Sequence, residues 1–224
     1  MEILLLVTLA LVAPDTAPAE LPVTGQHRPG LESFDNLMIS FVKGHRIPGA
    51  TLAVVRNGKI IYARGFGYAD PDAGKKMQPD SLFRIASISK PITSAAIMQF
   101  VDRKKLRLTD RVFDILDMKP RGDAKIDPRL KQVTVAQLLR HTGGWDRSKS
   151  GDPMFRPVKI AKSLSQTPPA SAQQVAQYML TAPLDFAPGS RYAYSNFGYC
   201  LLGRIIEKKT QMPYEQYVQK HLLA

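Results

Sequence analysis

The sequence predicts an α+β fold, on three observations. An Asn57-Gly58 pair separates two short, partly β-branched apolar runs, Thr51–Val55 and Lys59–Tyr68, and Asn-Gly in that setting is the strongest short-range signal for an antiparallel hairpin. Downstream, apolar residues recur at helical spacing, most clearly Ile92, Ala95, Ala96, Met98, Phe100 and Val101, and such a period marks an amphipathic or buried helix. The chain has 224 residues, 44% apolar and 22% charged. That is ordinary globular composition, and enough length for one core or two closely joined subdomains.

The elements follow in chain order. Residues 20–32 contain Pro and Gly and read as a linker. Ser33 stands where it can cap a helix carrying Phe34, Leu37, Met38, Phe41 and Val42 at helical spacing, and Gly44 ends it. After the hairpin, residues 70–80 form a polar loop. A mostly buried helix runs from Lys90 to Lys104, with Pro91 tolerated in its first turn because the N–H it lacks has no partner there. Thr109-Asp110 is placed to cap a short helix over 112–116, and residues 117–132 are polar and irregular. Thr134 caps a helix over 135–140, which His141-Thr142-Gly143-Gly144-Trp145 breaks. Residues 146–170, rich in Ser, Pro, Lys and Gly, read as a long surface excursion of the kind that is functional or mobile. Ser171 caps a helix over 175–180, Pro188-Gly189 makes a turn, and two helices follow at about 197–209 and 213–221. There are no internal repeats and no low-complexity tract.

The N-terminus reads as a secretory signal peptide. Residues 3–13 are apolar apart from Thr8, too short for the roughly 20 residues that span a bilayer. Ala17-Pro18-Ala19 then forms a small-x-small cleavage pattern before Glu20. Export to a periplasm or the exterior is the expectation. Glu2 stands where a positive charge is usual, so an uncleaved membrane anchor is the alternative. The formal net charge is +12, rising to about +14 without residues 1–19, which favours contact with anionic cell-wall or membrane surfaces. The basic residues are dispersed, and the densest run, Arg103-Lys104-Lys105, has no interleaved aromatics, which argues against nucleic acid. One cysteine, Cys200, excludes an internal disulfide and reads as a buried core thiol. His27, His45 and His221 show no metal-ligand spacing, and no nucleotide-binding fingerprint appears, so neither metal nor cofactor is expected.

The chemistry is carried by Ser87-Ile88-Ser89-Lys90 and Tyr194-Ser195-Asn196. A serine hydroxyl is a poor nucleophile until a base takes its proton. On a helix, Ser and Lys three residues apart share one face, and the helix N-terminus offers N–H groups and a positive dipole end to a developing oxyanion. Taken alone the pair is weak: 13 serines and 16 lysines in 224 residues produce about one Ser-x-x-Lys by chance, and Ser40-Phe41-Val42-Lys43 is such a copy inside a helix. A helix cap is the plain reading of Ser87. Tyr-x-Asn is rarer, about 0.1 expected by chance from 8 Tyr and 3 Asn. A tyrosine beside the pair can relay a proton, and an asparagine can donate to and accept from a substrate amide. Its plain reading is a packed turn after Pro188-Gly189.

Three segments in order, Phe83–Pro91, Leu138–Gly144 and Pro188–Tyr199, resemble those of the penicillin-binding and class C β-lactamase-like serine hydrolases, which include esterases and D-peptidases. The resemblance covers residues 33–224. It implies a β-lactamase-like sandwich, an antiparallel sheet flanked by helices: residues 33–90 supply a helix, the hairpin and the nucleophile segment, residues 91–190 an inserted all-helical subdomain, and residues 191–224 a return towards the sheet. It also implies roles. Ser87 forms an acyl-enzyme with its own N–H as one oxyanion donor, Lys90 holds or accepts its proton, Tyr194 shares the base role and passes the proton to the leaving group, with the true base of the two left open, and Asn196 orients substrate. Substrates would be β-lactams, esters or D-amino-acid peptides. His141-Thr142-Gly143 resembles the family's third motif, Lys/His-Thr/Ser-Gly, but precedes Tyr-x-Asn instead of following it on a strand, so His141 is expected to be a structural helix-end residue. Trp145 either borders the cleft or packs in the core. No third motif follows Asn196 before Ala224, so the chain is expected to be a fragment with an incomplete sheet. A non-catalytic wall- or ligand-binding module of the same fold, and a basic surface-binding protein, are the competing readings. N-terminal sequencing of the exported protein should start at Glu20; a retained Met1 would remove the cleavage expectation.

Overall fold

A computed structural model of the chain describes residues 20–120 and 124–223; the expected leader, residues 1–19, lies outside them. The chain divides into two compact units, with the boundary between Arg84 and Ile85.

The first unit is built on the expected hairpin. Strands β2 (Gly49–Arg56) and β3 (Lys59–Asp70) pair antiparallel, with Arg56 opposite Lys59. The two residues between them, Asn57 and Gly58, both have positive φ, 51° and 71°. That is the primed turn whose twist matches two antiparallel strands, and Asn-Gly adopts it at little cost. Two very short strands join: β1 (Val23–Thr24) pairs with β3 at Phe66 and Gly65, and β4 (Lys75–Lys76) pairs with β3 at Tyr68 and Asp70. The linker and the polar loop expected at 20–32 and 70–80 therefore each contribute an edge, too short for a period of two to show in the sequence. No strand pairs with the other side of β2 among the described residues.

Helix α1 (Glu32–Gly44) starts one residue before Ser33, which sits inside the first turn and caps nothing. Its Phe34 and Met38 pack with Val42, Tyr62 and Phe66, the last three fully buried. Asp35 ties the helix to β3, accepting from the Tyr62 hydroxyl at 2.5 Å and from Arg64 at 2.7 Å. Burial, then the Asp35 contact, pushes the Tyr62 hydroxyl well above the ordinary tyrosine range.

The second unit is helical: α2 (Ser89–Asp102), α3 (Val112–Leu116), α4 (Val135–Leu139), α5 (Pro157–Ser163), α6 (Ala172–Met179), α7 (Asn196–Thr210) and α8 (Tyr214–His221). Helix α7 runs through its middle and touches α2, α3, α4, α6 and α8. Phe197, Leu201, Leu202, Ile205 and Ile206 on α7 are fully buried. Ser87 and Lys90 lie within this helical unit, and α7 supplies its axis. Helix spacing alone does not tell a central helix from a peripheral one.

Thr134 and Ser171 cap α4 and α6 as full capping boxes with Gln137 and Gln174. Arg111, not Thr109 or Asp110, precedes α3; Asp110 instead accepts from the Arg107 backbone N–H at 2.9 Å. The stretch 146–170 holds more structure than its composition suggested. Pro153 and Pro157 each begin a helical turn, and Ile160 and Ala161 of α5 are fully buried. Trp145 is buried and meets Phe197 edge-on at 4.9 Å, so it packs in the core. Cys200 is half-buried, and desolvation pushes its thiol up to about 11, which leaves it a poor nucleophile.

One half-buried carboxylate holds two loops together. Asp127 accepts from the Arg129 side chain at 2.6 Å and from the Leu184 N–H at 3.0 Å, while Arg129 donates to the Leu184 carbonyl at 2.8 Å. The Arg129 hydrogen bonds bring the Asp127 carboxyl down to about 2 from 3.8. A depressed carboxylate contributes stability that is present above its unfolded-state pKa and lost as pH falls through the folded one. Thermal melting should therefore show a loss of stability between about pH 4 and pH 2 that Asp127→Asn removes; an unchanged acid profile in that variant would refute the assignment.

Candidate functional site

Ser87 lies in a 3-10 turn, Ala86–Ile88, that leads directly into α2. Its N–H is in the first turn, where backbone donors have no intrahelical acceptor. Ala86, just before it, has φ +44°, a left-handed conformation that costs a non-glycine residue about 1–2 kcal/mol and recurs at functional sites. Lys90 is one turn on, and its Nζ donates to Ser87 Oγ at 3.2 Å. The other pair, Ser40 and Lys43, sits within α1 of the first unit.

The Tyr-x-Asn triplet is placed by the start of α7. Asn196 is its first residue, Ser195 caps it by accepting from the Gly198 N–H at 3.1 Å, and Tyr194 stands on the extended approach. This approach is fastened to the end of α4. The Gly189 N–H donates to the Thr142 carbonyl at 2.8 Å, the Ala193 N–H to the His141 carbonyl at 2.9 Å, and the Ser195 N–H to His141 Nδ1 at 3.2 Å.

The four residues singled out in the sequence come together. The Tyr194 hydroxyl is 2.6 Å from Ser87 Oγ across 107 residues of chain, and Lys90 Nζ donates to Asn196 Oδ1 at 2.6 Å. Asn196 Nδ2 donates to Asp152 Oδ2 at 2.7 Å. A continuous hydrogen-bonded line thus runs Tyr194–Ser87–Lys90–Asn196–Asp152. The Lys90 ammonium is also 4.8 Å from the centre of the Tyr194 ring, as is the Arg147 guanidinium. Hydrogen bonds from Lys90 and Ser87, with the charges of Lys90 and Arg147, hold the Tyr194 hydroxyl below the ordinary tyrosine value, which favours its phenolate.

Two residues of the site escaped the sequence reading. Asp152 fell inside the stretch read as a surface excursion. It caps the 3-10 turn at Pro153, accepting from the Met154 N–H at 3.0 Å, and an Asp directly before Pro was the available signal. His141 does end its helix as expected, at φ +56°, but its ring also stacks on Tyr194 at 4.6 Å. A cavity of about 310 Å³ borders the line, walled by Lys90, Asn196, Met154, Tyr199 and Tyr214 among others. Among the described residues, no group of three or more His, Cys, Asp or Glu side chains is placed to hold a metal.

Chemically, the line can take a proton from Ser87. Ser87 Oγ accepts from Lys90 Nζ and is in short hydrogen-bond contact with the Tyr194 hydroxyl, a contact along which a proton can pass. A base works in its deprotonated form, so the reaction of Ser87 with a fluorophosphonate should speed up as pH rises through the Tyr194 value, with a midpoint below about 10. Tyr194→Phe should abolish this rise and slow the reaction by about 10²–10⁴-fold; a rise retained in that variant would exclude Tyr194 as the acceptor.

A family model described as Beta-lactamase matches residues 34–224. Esterase EstB of Burkholderia gladioli is 34% identical over 184 residues, 80% of this chain and 45% of that protein. The probable fimbrial assembly protein FimD, serogroup H1, of Dichelobacter nodosus is 32% identical over 173 residues, 77% of this chain and 40% of that protein. Among solved structures, the octameric penicillin-binding protein homologue from Pyrococcus abyssi superposes with a TM-score of 0.67 at 28% identity, covering 87% of this chain and 42% of that one. The chain spans less than half the length of these relatives.

Proposed function

The chain belongs to the beta-lactamase family, and on that footing we propose that it carries the nucleophile half of a serine hydrolase working through an acyl-enzyme on an amide, ester or β-lactam. The observation that carries the proposal is Ser87 Oγ held between the Tyr194 hydroxyl at 2.6 Å and Lys90 Nζ at 3.2 Å.

In this reading Tyr194, as phenolate, takes the Ser87 proton while Oγ attacks the carbonyl carbon. The N–H of Ser87 and the α2 N-terminus face the oxyanion that develops. As the tetrahedral species collapses, Tyr194 returns the proton to the departing nitrogen or oxygen. Water then attacks the acyl-Ser87 ester, losing a proton to Tyr194, and Ser87 leaves with that proton. Lys90, donating from Nζ to Ser87 Oγ, holds the nucleophile in register. Asn196 is fixed by Lys90 at one end and Asp152 at the other, which presents its amide in a single orientation to the acyl group.

EstB is an esterase by name and the Pyrococcus protein a penicillin-binding protein homologue. Together they support a small acyl substrate, with esters and D-amino-acid peptides or β-lactams as the classes to try. The apolar N-terminal segment supports export, and the net charge of +12 supports residence near an anionic wall or membrane.

A fluorophosphonate and a fluorescent penicillin, offered to the full-length protein, should both label it, with the adduct mapping to Ser87. Ser87→Ala should lose all labelling; labelling that survives there would sink the assignment. A stable adduct with no turnover of ester, amide or β-lactam would favour the ligand-binding module instead.

A further inference from the structure

We infer that His141 is a positioning residue for Tyr194: as a neutral imidazole with a free lone pair on Nδ1 it holds the phenol against Ser87, and its protonation releases that hold. The inference rests on the acyl-enzyme reading of Ser87.

Three contacts converge on the residues around the phenol. The Ala193 N–H donates to the His141 carbonyl at 2.9 Å, the Ser195 N–H donates to His141 Nδ1 at 3.2 Å, and the imidazole lies on the Tyr194 ring at 4.6 Å with 29° between the planes. Tyr194 is the residue between the two anchored amides, so one side chain and its own carbonyl set both its backbone and its ring. The left-handed backbone of His141, φ +56°, lets a helix end turn these groups towards the 193–195 segment. Among non-glycine residues Asn, Asp and His enter that region most readily.

The tautomer follows from the donor. A backbone N–H only donates, so Nδ1 must accept and the ring proton must sit on Nε2. An imidazolium carries N–H on both nitrogens, and its Nδ1–H would meet the Ser195 N–H donor to donor. The titratable and charged groups around the ring are Lys90 from α2, Tyr192 and Tyr194 from the extended segment, Tyr199 from α7, and Arg140 beside it in sequence, with Arg147 on the Tyr194 ring. Burial first, and then the Lys90 charge, lower the His141 value from 6.5 and outweigh an opposing contribution from the Ser195 backbone. The neutral clamp therefore persists through neutrality and fails only in acid.

The test is the rate of Ser87 labelling by a fluorophosphonate in the full-length protein, followed across about pH 5 to 8 alongside thermal melting. Beneath the rise that Tyr194 imposes, the unmodified protein should show an additional acid step with its midpoint below 6.5. His141→Asn keeps an acceptor oxygen and tolerates the left-handed backbone but cannot titrate. It should lose this additional step, keep the Tyr194 rise, and react at pH 8 within about 10-fold of the original. His141→Phe keeps a stacking ring but no acceptor, and should lose about 100-fold at pH 8, in the maximal labelling rate and not in reagent affinity. An additional step unchanged in His141→Asn would overturn the inference, as would a folded His141→Phe reacting at the original rate. If His141→Phe does not fold, His141→Asn decides. No labelling of the unmodified protein at Ser87 would overturn the acyl-enzyme reading and this inference with it.

Discussion

The N-terminus of α7 is the constraint on which the helical unit and its site both depend. Two turns of that helix bury Phe197, Leu201 and Leu202 among the other helices, and packing at that density does not allow the helix to slide or turn. Asn196 is its first residue and Ser195 its cap, so whatever fixes the core also fixes the amide that receives Lys90. Tyr194 gains from the same anchor, because it is two residues before the first helical turn and is fastened to the end of α4. The chemistry therefore stands on rigid packing although it is presented by a loop.

Polar groups in the site are arranged as a chain and not as isolated pairs. Each member, from Tyr194 through Ser87, Lys90 and Asn196 to Asp152, has a partner on either side or closes an end. Partly buried polar groups are costly when unpaired and rigid when satisfied. The carboxylate at one end and the phenol at the other straddle one ammonium, which explains why a tyrosine can be drawn towards its phenolate here. Ala86 and His141 both take left-handed backbone next to this line, and the surrounding helices must hold them there.

Much of the fold was legible in the sequence. Asn57-Gly58 announced the hairpin because few dipeptides accept two positive φ values in succession. Thr134 and Ser171 announced their helices because each is followed three residues later by a glutamine that completes the cap. Short edges were not legible: a strand of two residues, such as Val23–Thr24, has no period and exists only because β3 presents a free edge to it. The helices inside 146–170 were hidden by polar composition, since only Ile160 and Ala161 of α5 are fully buried.

By itself the sequence determined which side chains could do chemistry and in what local setting, because Ser87 and Lys90 share a helix turn and Tyr194 and Asn196 share a helix start. Those are short-range relations, dictated by backbone geometry. What only the tertiary structure decided is that the two pairs meet, 107 residues apart, and which outsiders join them. Locally, Asp152 marks only a cap before Pro153, and His141 reads as a helix end despite its likeness to the third motif; both reach the site because α4, α7 and the turn at Pro153 pack around a common core. Burial, moreover, is a property of that core, and so the lowered values of Tyr194 and His141 could be read only once the helices were in place.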